Sequence, residues 1–325
     1  MNSISQEFLD SVSNLEFSNA DDINSFFLDK GAVYIDWFQT NIAKKQDWKD
    51  LAINNVTIAK TNFQKIWDNI PLLFGDATCN LIQFLTLMSV IIHETGGEVA
   101  PVSEKFGNAQ HKRIAYLFDA IPGLKSSYNK NPSNRTAFAL FNDDVYISAH
   151  QELALSSKLA NTTDERWKGD VYPSDFSTSP KLEDTGFILQ ADFFKFRGRG
   201  LIQTTLRANY IKLIDYVKSE DHDNEVLNEF KSQWQDLSLD DAASVSTFAD
   251  WDELFQNTDL IIACEAIHRH NVSSGDYLSL PLTATVLNGQ GAGSIFRAGK
   301  KINGGNAYAQ QLYRRVVQII NQLET

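Results

Sequence analysis

The most regular pattern of apolar and polar positions lies between residues 76 and 97. Apolar side chains cover most of the helix that this pattern predicts, and polar ones recur at roughly helical spacing to leave one polar stripe. The apolar positions are interrupted too often for a membrane span, and Gly96 and Gly97 provide a natural stop. The pattern therefore predicts a mostly buried helix with His93 and Glu94 at its C-terminal end.

Residues 1–70 alternate between aromatic or apolar positions and acidic or polar ones, as amphipathic helices do. Asn19, or the pair Asp21 and Asp22, would cap one of these helices, and Thr57 would cap another. We interpret this stretch as an N-terminal helical appendage that serves as a docking or loading element.

The rest of the chain, residues 71–325, is interpreted as one domain. It contains a polar stretch over 129–180 with a helix expected at 143–158, and a Gly-rich turn that leads into a helix at 201–217. The C-terminus has the apolar periodicity of another helix, and no repeat of solenoid period is evident. Together these patterns predict a mainly α protein.

Charge narrows the range of partners. The 325 residues carry a formal net charge of -12, so phosphate backbones and anionic lipid surfaces repel the molecule as a whole. We therefore expect no nucleic acid partner. A neutral or partly neutral saccharide strand, held in a cleft and not by a cationic surface, fits this charge better.

Cysteine usage and the N-terminal residues bear on compartment. Cys79 and Cys264 are the two cysteines; they form neither a disulfide framework nor a zinc-ligand spacing, and Cys79 lies among apolar residues typical of a buried thiol. We expect no metal and no other cofactor. The first residues show no signal-peptide pattern, so we expect synthesis in the cytoplasm and delivery to the cell wall or periplasm by another route.

Glu94 is the first candidate for chemistry. A carboxylate in the last turn of a helix feels the negative end of the helix dipole, and a largely apolar helix suggests partial desolvation. Both effects raise a carboxyl pKa, which is what a general acid at neutral pH needs. The sequence therefore predicts Glu94 as a proton donor.

A second carboxylate is needed if the reaction is glycoside hydrolysis with inversion. The base then lies about 6.5–9.5 Å from the acid and activates a water on the opposite face of the sugar. Glu98, Glu104 and Asp119 are the candidates. Glu98 is too close in sequence to span a sugar ring comfortably, whereas Glu104 follows Pro101 on a segment that can cross a cleft, so we favour Glu104.

Four segments resemble signature motifs of one known family. They are HETGG at 93–97, FRGRGLIQTT at 196–205, RANY at 207–210 and INGG at 302–305. In this order, over about residues 76–325, they resemble glycoside hydrolase family 19, which contains plant-type chitinases and lysozyme-like endolysins. The resemblance implies a lysozyme-like, two-lobed helical domain with a substrate cleft.

The resemblance also implies roles for individual residues. Glu94 would be the general acid, Glu104 the base, and Thr205 would help to hold the attacking water. Lysozyme-like members carry a Glu about ten residues after the His-Glu motif, as Glu104 does here. The residues expected to line the substrate-binding subsites are His93, Gln203, Asn209, Tyr210 and Asn303.

Arginines also occur in or near these motifs. For Arg197 and Arg199 we expect structural ion pairs with a carboxylate more than substrate contacts, next to Gly198 and Gly200, which permit close backbone approach. An arginine near the end of the family pattern has two counterparts here, Arg314 and Arg315, and the spacing matches neither cleanly.

The function hypothesis is therefore an endo-acting muramidase that cleaves β-1,4 bonds of peptidoglycan by an inverting acid/base mechanism. Chitin hydrolysis is the same chemistry on a neighbouring polymer. A hypothesis from another class is a wall-binding or structural component of a phage-like or injection machine that no longer turns over substrate. Expected partners are a peptidoglycan or chitin strand, a phage lysis or contractile delivery machine, and an immunity protein, with no membrane span.

Overall fold

The protein is mainly helical in the computed structural model, which describes residues 3–104, 196–270, 278, 281–289, 291 and 293–324. In the N-terminal range the helices are α1 (Gln6–Val12), α2 (Ala20–Leu28), α3 (Tyr34–Asn41), α4 (Val56–Trp67), α5 (Ile70–Phe74) and α6 (Leu81–Glu94). The later ones are α7 (Arg207–Ser219), α8 (Glu225–Trp234), α9 (Leu239–Val245), α10 (Phe248–Asn257), α11 (Ile261–Arg269), α12 (Ala284–Asn288), α13 (Ser294–Asn303) and α14 (Asn306–Leu323). Short strands are β1 (Glu16–Phe17), β2 (Cys79–Asn80), β3 (Val102–Ser103) and β4 (Arg199–Gly200).

Side-chain caps set where the N-terminal helices begin. The Asn19 side chain accepts a hydrogen bond from the Asp22 amide, so Asn19 caps α2 as predicted. The predicted cap at Thr57 is wrong, because the amide side chain of Asn55 accepts from Ile58 N and α4 therefore begins two residues earlier. Thr57 lies within the first turn of that helix.

Helix α6 is the buried helix that the sequence predicted. It ends at Glu94 as expected, but it begins at Leu81 because residues 79–80 form a strand antiparallel to β1, with Glu16 opposite Asn80. Asn80 and Gln83 form a capping box, each side chain bonding the other residue's backbone amide. Both the predicted burial of Cys79 and the predicted end of the helix are confirmed.

Two compact units make up the chain. The first comprises Met1–Val102, Gly200–Ile202 and Asp259–Thr325, and the second Ser103–Arg199 and Gln203–Thr258. The division between these units does not fall at residue 70, the predicted end of the appendage. Helices of the first 70 residues share a unit with α6 and α14.

The core of the first unit is an aromatic cluster around Phe84 of α6. The Phe84 ring centroid lies 4.6 Å from that of Trp67 and 4.8 Å from that of Tyr34, both in T-shaped contacts. Phe17, Phe27 and Phe63 surround the same ring at 5.9–6.2 Å. Such edge-to-face pairs add to the free energy gained by burying apolar area. The N-terminal helices thus hold α6 in place.

The second unit has its own core, centred on Tyr210 of α7. Its ring packs against Trp251 at 4.7 Å, edge to face, and Trp251 lies 5.6 Å from Trp234. Helix α7 begins at Arg207, so the predicted start at residue 201 is wrong. The cause is a tight turn in which Arg199 and Thr204 exchange both backbone hydrogen bonds, at 3.1 and 2.8 Å.

Two predictions lie outside the described residues: the helix at 143–158 and the candidate base Asp119. Within the described part of the chain, no helix combines the length and apolar character that crossing a membrane requires.

Candidate active site

The turn after Glu94 is built from one threonine and two glycines. Thr95 Oγ1 donates to Ile91 O at 2.7 Å and accepts from Val99 N at 3.1 Å, which ties the end of α6 to the chain that follows. Gly96 and Gly97 both have left-handed backbone conformations, with φ of 62° and 85°. A side chain at Gly97 would put its Cβ 2.5 Å from Ala52 O. Glycine there allows the turn to pack directly on the N-terminal segment.

Glu94 is half-buried, and burial raises the pKa of its carboxyl group above the ordinary value. The hydroxyl of Tyr308 and the charge of Arg315 act in the opposite direction, because both favour the ionised form. The Tyr308 hydroxyl interacts with the carboxylate without reaching normal hydrogen-bond geometry, and among the described residues it has no other partner. The expectation that desolvation raises the Glu94 pKa is confirmed.

His93 packs beside the same tyrosine. Its ring centroid is 5.0 Å from that of Tyr308, and its Nδ1 is buried with no hydrogen-bond partner in the part of the chain that the structure describes. Burial, aided by the Arg315 charge, lowers the pKa of His93 to about 4. The imidazole is therefore neutral at neutral pH, and it adds no positive charge beside Glu94.

Arg315 is the one of the two candidate arginines that faces Glu94. It is 4% exposed, its Nε donates to Asp47 O at 2.9 Å, and its guanidinium lies 5.3 Å from the centre of the Trp48 ring. Arg314 instead pairs with the Asp47 carboxylate at 3.3 Å and is more exposed. The N-terminal segment thus fixes the arginine whose charge acts on Glu94.

Asn303 also belongs to the first unit. It is the last residue of α13, exposed, and followed by Gly304 in the left-handed conformation that ends the helix. An exposed amide at a helix end is available to a ligand, which leaves its predicted substrate contact open.

In the second unit the structure brings Glu104 and Gln203 together around Gly198. The Glu104 amide donates to Gly198 O at 2.8 Å, and its Oε2 lies 3.4 Å from Gly198 N. A Cβ at Gly198 would come within 2.8 Å of Gln203 Oε1 and 3.4 Å of Glu104 Oε2. The glycine therefore makes room for a carboxylate and an amide, a neighbourhood that the spacing of 99 residues along the chain could not predict.

Thr205 and Asn209 are held by local hydrogen bonds. Thr205 Oγ1 donates to Gln203 O at 2.7 Å, and Asn209 Nδ2 donates to Thr205 O at 2.9 Å. Both side chains are half-buried. Gln203 and Leu206 have positive φ angles of 53° and 79°, which is costly for residues with a Cβ and is often found at functional sites. Nothing in the sequence pattern indicated this strain.

Tyr210 has a structural environment. It is fully buried, its hydroxyl donates to Arg197 O at 2.6 Å, and Arg199 Nη1 donates to it at 3.1 Å. This position supports a packing role in place of the predicted substrate contact. The predicted ion pairing of the two arginines is confirmed, since both bond Asp252, Arg197 at 2.8 Å and Arg199 at 2.7 Å.

Sequence reasoning missed Tyr308, Asp47 and Trp48. Tyr308 and Arg315 are seven residues apart on α14, which places them on one helix face two turns apart. That spacing was a usable signal. The contacts of Asp47 and Trp48 join residues 267 or more positions apart, and no local pattern could have shown them.

No known family model matches the chain, and it matches none of the curated proteins or solved structures. Among the described residues, no group of three or more His, Cys, Asp or Glu side chains is arranged to hold a metal ion.

Proposed function

We propose that the protein is an endo-acting glycoside hydrolase that cleaves β-1,4 bonds of peptidoglycan, with Glu94 as the general acid. The observation that carries the proposal is the environment of Glu94: a half-buried carboxyl group, at the end of a buried helix, whose pKa is raised by desolvation. A carboxyl group of this kind holds its proton to higher pH than an exposed one, as a donor to a leaving glycosidic oxygen must.

The proposed reaction proceeds with inversion. Glu94 gives its proton to the leaving oxygen while water attacks the anomeric carbon from the opposite face, and Glu104 takes the proton that this water loses. After one turnover Glu94 is ionised and Glu104 is protonated. The position of Glu104 beside Gln203 supports this assignment, because an amide next to the base can hold a sugar hydroxyl or N-acetyl group.

The proposal extends to architecture and delivery. A lysozyme-like, two-lobed domain would place Glu94 and Gln203 on one substrate cleft. The enzyme would reach the cell wall through a phage lysis or contractile delivery machine, and an immunity protein would protect a producing cell. The net charge of -12 supports a glycan held by a cleft, because the wall's anionic polymers repel the molecule's surface.

Product analysis tests the proposal. Purified sacculi and glycol chitin would be digested in parallel, and the released fragments identified by mass spectrometry. We expect fragments with reducing-end muramic acid from sacculi and little release from glycol chitin. Reducing-end glucosamine would indicate a glucosaminidase, preferential digestion of glycol chitin a chitinase, and freed peptides an amidase or peptidase. Binding to sacculi without release would indicate the wall-binding alternative.

A further inference from the structure

Two buried polar atoms without hydrogen-bond partners lie next to Glu94. They are the hydroxyl of Tyr308, which acts on the Glu94 carboxylate, and Nδ1 of the adjacent His93; neither has a partner among the described residues, and the two rings are 5.0 Å apart. A buried polar group left unpaired costs free energy, so such groups in a folded protein call for an explanation. Tyr308 contacts the His93 ring and acts on the carboxylate of the next residue, Glu94, where α6 packs on α14.

The charged residue of α14 that acts on Glu94 is Arg315, and residues of the N-terminal segment hold its side chain. Arg315 donates to the Asp47 backbone carbonyl, and its guanidinium lies over Trp48. It therefore contributes charge from a fixed position. The Tyr308 hydroxyl, in contrast, can rotate its hydrogen about the C–O bond toward the carboxylate.

We propose that Tyr308 is a positioning residue for Glu94, whose hydroxyl donates to the carboxylate when Glu94 is ionised and holds it in the orientation needed to receive its next proton. This inference rests on the proposed function of Glu94 as the acid. It gives a role to the buried Tyr308 hydroxyl, which the acid/base mechanism itself does not require. The His93 ring, packed against the Tyr308 ring, limits the movement of the phenol.

The contact between the Tyr308 hydroxyl and Glu94 shifts the Glu94 pKa in a known direction. A donor to the ionised carboxylate stabilises that form and lowers the Glu94 pKa, in opposition to burial. Without the hydroxyl, Glu94 stays protonated to higher pH, while the carboxylate loses its orientation. The two consequences are measurable separately, the first by titration and the second by turnover.

The test compares Tyr308→Phe with Tyr34→Phe. Tyr34 is a matched control because its hydroxyl is also buried without a partner among the residues that the structure describes, in the aromatic cluster around Phe84. NMR titration of ¹³C-labelled glutamate carboxyls would follow Glu94, identified by the resonance that Glu94→Gln removes. We expect Tyr308→Phe to raise the Glu94 pKa by about one unit and Tyr34→Phe to leave it unchanged.

Turnover supplies the second readout. On sacculi we expect Tyr308→Phe to move the alkaline limb of the kcat/KM profile upward by the same interval and to lower kcat about tenfold at nearly constant KM. Thermal unfolding of Tyr34→Phe should stay close to wild type, whereas Tyr308→Phe should lose stability at pH values where Glu94 is ionised and keep it where Glu94 is protonated. An unchanged Glu94 pKa in Tyr308→Phe, or the same shift in Tyr34→Phe, would overturn the inference.

The titration also separates this inference from the proposed function. A Glu94 pKa that rises in Tyr308→Phe, in a protein that hydrolyses no glycan, would leave the contact established and the proposed hydrolase activity wrong. If hydrolysis depends on Glu94 but Tyr308→Phe keeps the wild-type Glu94 pKa and pH profile, the proposed hydrolase activity would stand. The positioning role of Tyr308 would then be wrong.

Discussion

At the scale of single residues, the surroundings of His93 and Glu94 favour the neutral form of both side chains. Burial is the first cause in each case: it raises the Glu94 pKa and lowers that of His93 to about 4. Adjacent residues of α6 therefore respond oppositely to acid. As pH falls, Glu94 binds its proton earlier in the folded protein than an ordinary carboxyl would, whereas His93 binds its proton later.

His93 predicts a pH dependence of stability. The unfolded imidazole takes up a proton near pH 6.5, but the folded one does so only near pH 4. The free energy of unfolding should therefore fall as pH drops from 6.5 to 4, by at most about 3 kcal/mol from this residue, with no contribution above that window. Urea unfolding at pH 7.5 and pH 5 measures the fall.

The comparison should be made in a Glu94→Gln background, because Glu94 titrates with the opposite sign. Adding His93→Gln should make the fall in stability between the two pH values smaller. His222→Gln is a suitable control, since His222 lies in the second unit beside the Val217 carbonyl oxygen. An equal fall with and without His93 would show that this imidazole does not resist protonation.

The residue scale also shows what the sequence could predict. The position of Glu94 at the end of an apolar helix was sufficient to predict its raised pKa, because the local pattern of apolar residues predicts both the helix and its burial. Tyr210 belonged to the same motif as Asn209, yet it is buried beneath Arg197 and Arg199. A motif specifies which residues occur and does not specify which of them face solvent.

At the scale of elements, the end of α6 depends on the N-terminal segment. Gly97 lies against the backbone carbonyl of Ala52, whereas the adjacent Gly96 has open space around it. The two glycines share a left-handed conformation and differ in this contact. Comparing substitutions at the two positions therefore separates the cost of backbone strain from the cost of steric overlap.

Substituting each glycine by alanine tests this packing. Gly96→Ala should lower the free energy of unfolding by about 1 kcal/mol, the cost of a Cβ in the left-handed region. Gly97→Ala should cost at least about 1 kcal/mol more, because its Cβ would lie 2.5 Å from Ala52 O and backbone atoms cannot move away cheaply. Denaturant unfolding of both variants gives the difference. Equal costs would contradict the contact with Ala52.

Helix boundaries were predictable only where the cap was local. Asn19 was one of the two predicted alternatives for the cap of α2, but the start of α7 was displaced by the turn between Arg199 and Thr204. That turn contains Gln203 with a positive φ. Residues other than glycine rarely adopt this conformation, so no sequence pattern predicted it. The mainly α class followed from periodicity, whereas the packing of the first 70 residues on α6 depends on contacts distant in sequence.

At the scale of the whole molecule, the N-terminal residues take part in the first unit's core. Phe27, Tyr34 and Trp67 pack on Phe84 of α6, and Asp47 and Trp48 hold Arg315 of α14. The environment of Glu94 is thus assembled from segments at both ends of the chain. A docking role for residues 1–70 remains a prediction, and it would have to coexist with this packing.

The central claim is that Glu94 donates the proton in glycan cleavage, and hydrolysis of purified sacculi by Glu94→Gln tests it most directly. The amide keeps the shape of the carboxyl group but has no acidic proton to give. Circular dichroism would confirm that the variant is folded. The matched control is Glu98→Gln, because Glu98 is an exposed carboxylate four residues after Glu94. We predict that Glu94→Gln releases almost no reducing ends while Glu98→Gln releases them at close to the wild-type rate. Near wild-type release by folded Glu94→Gln would contradict the account.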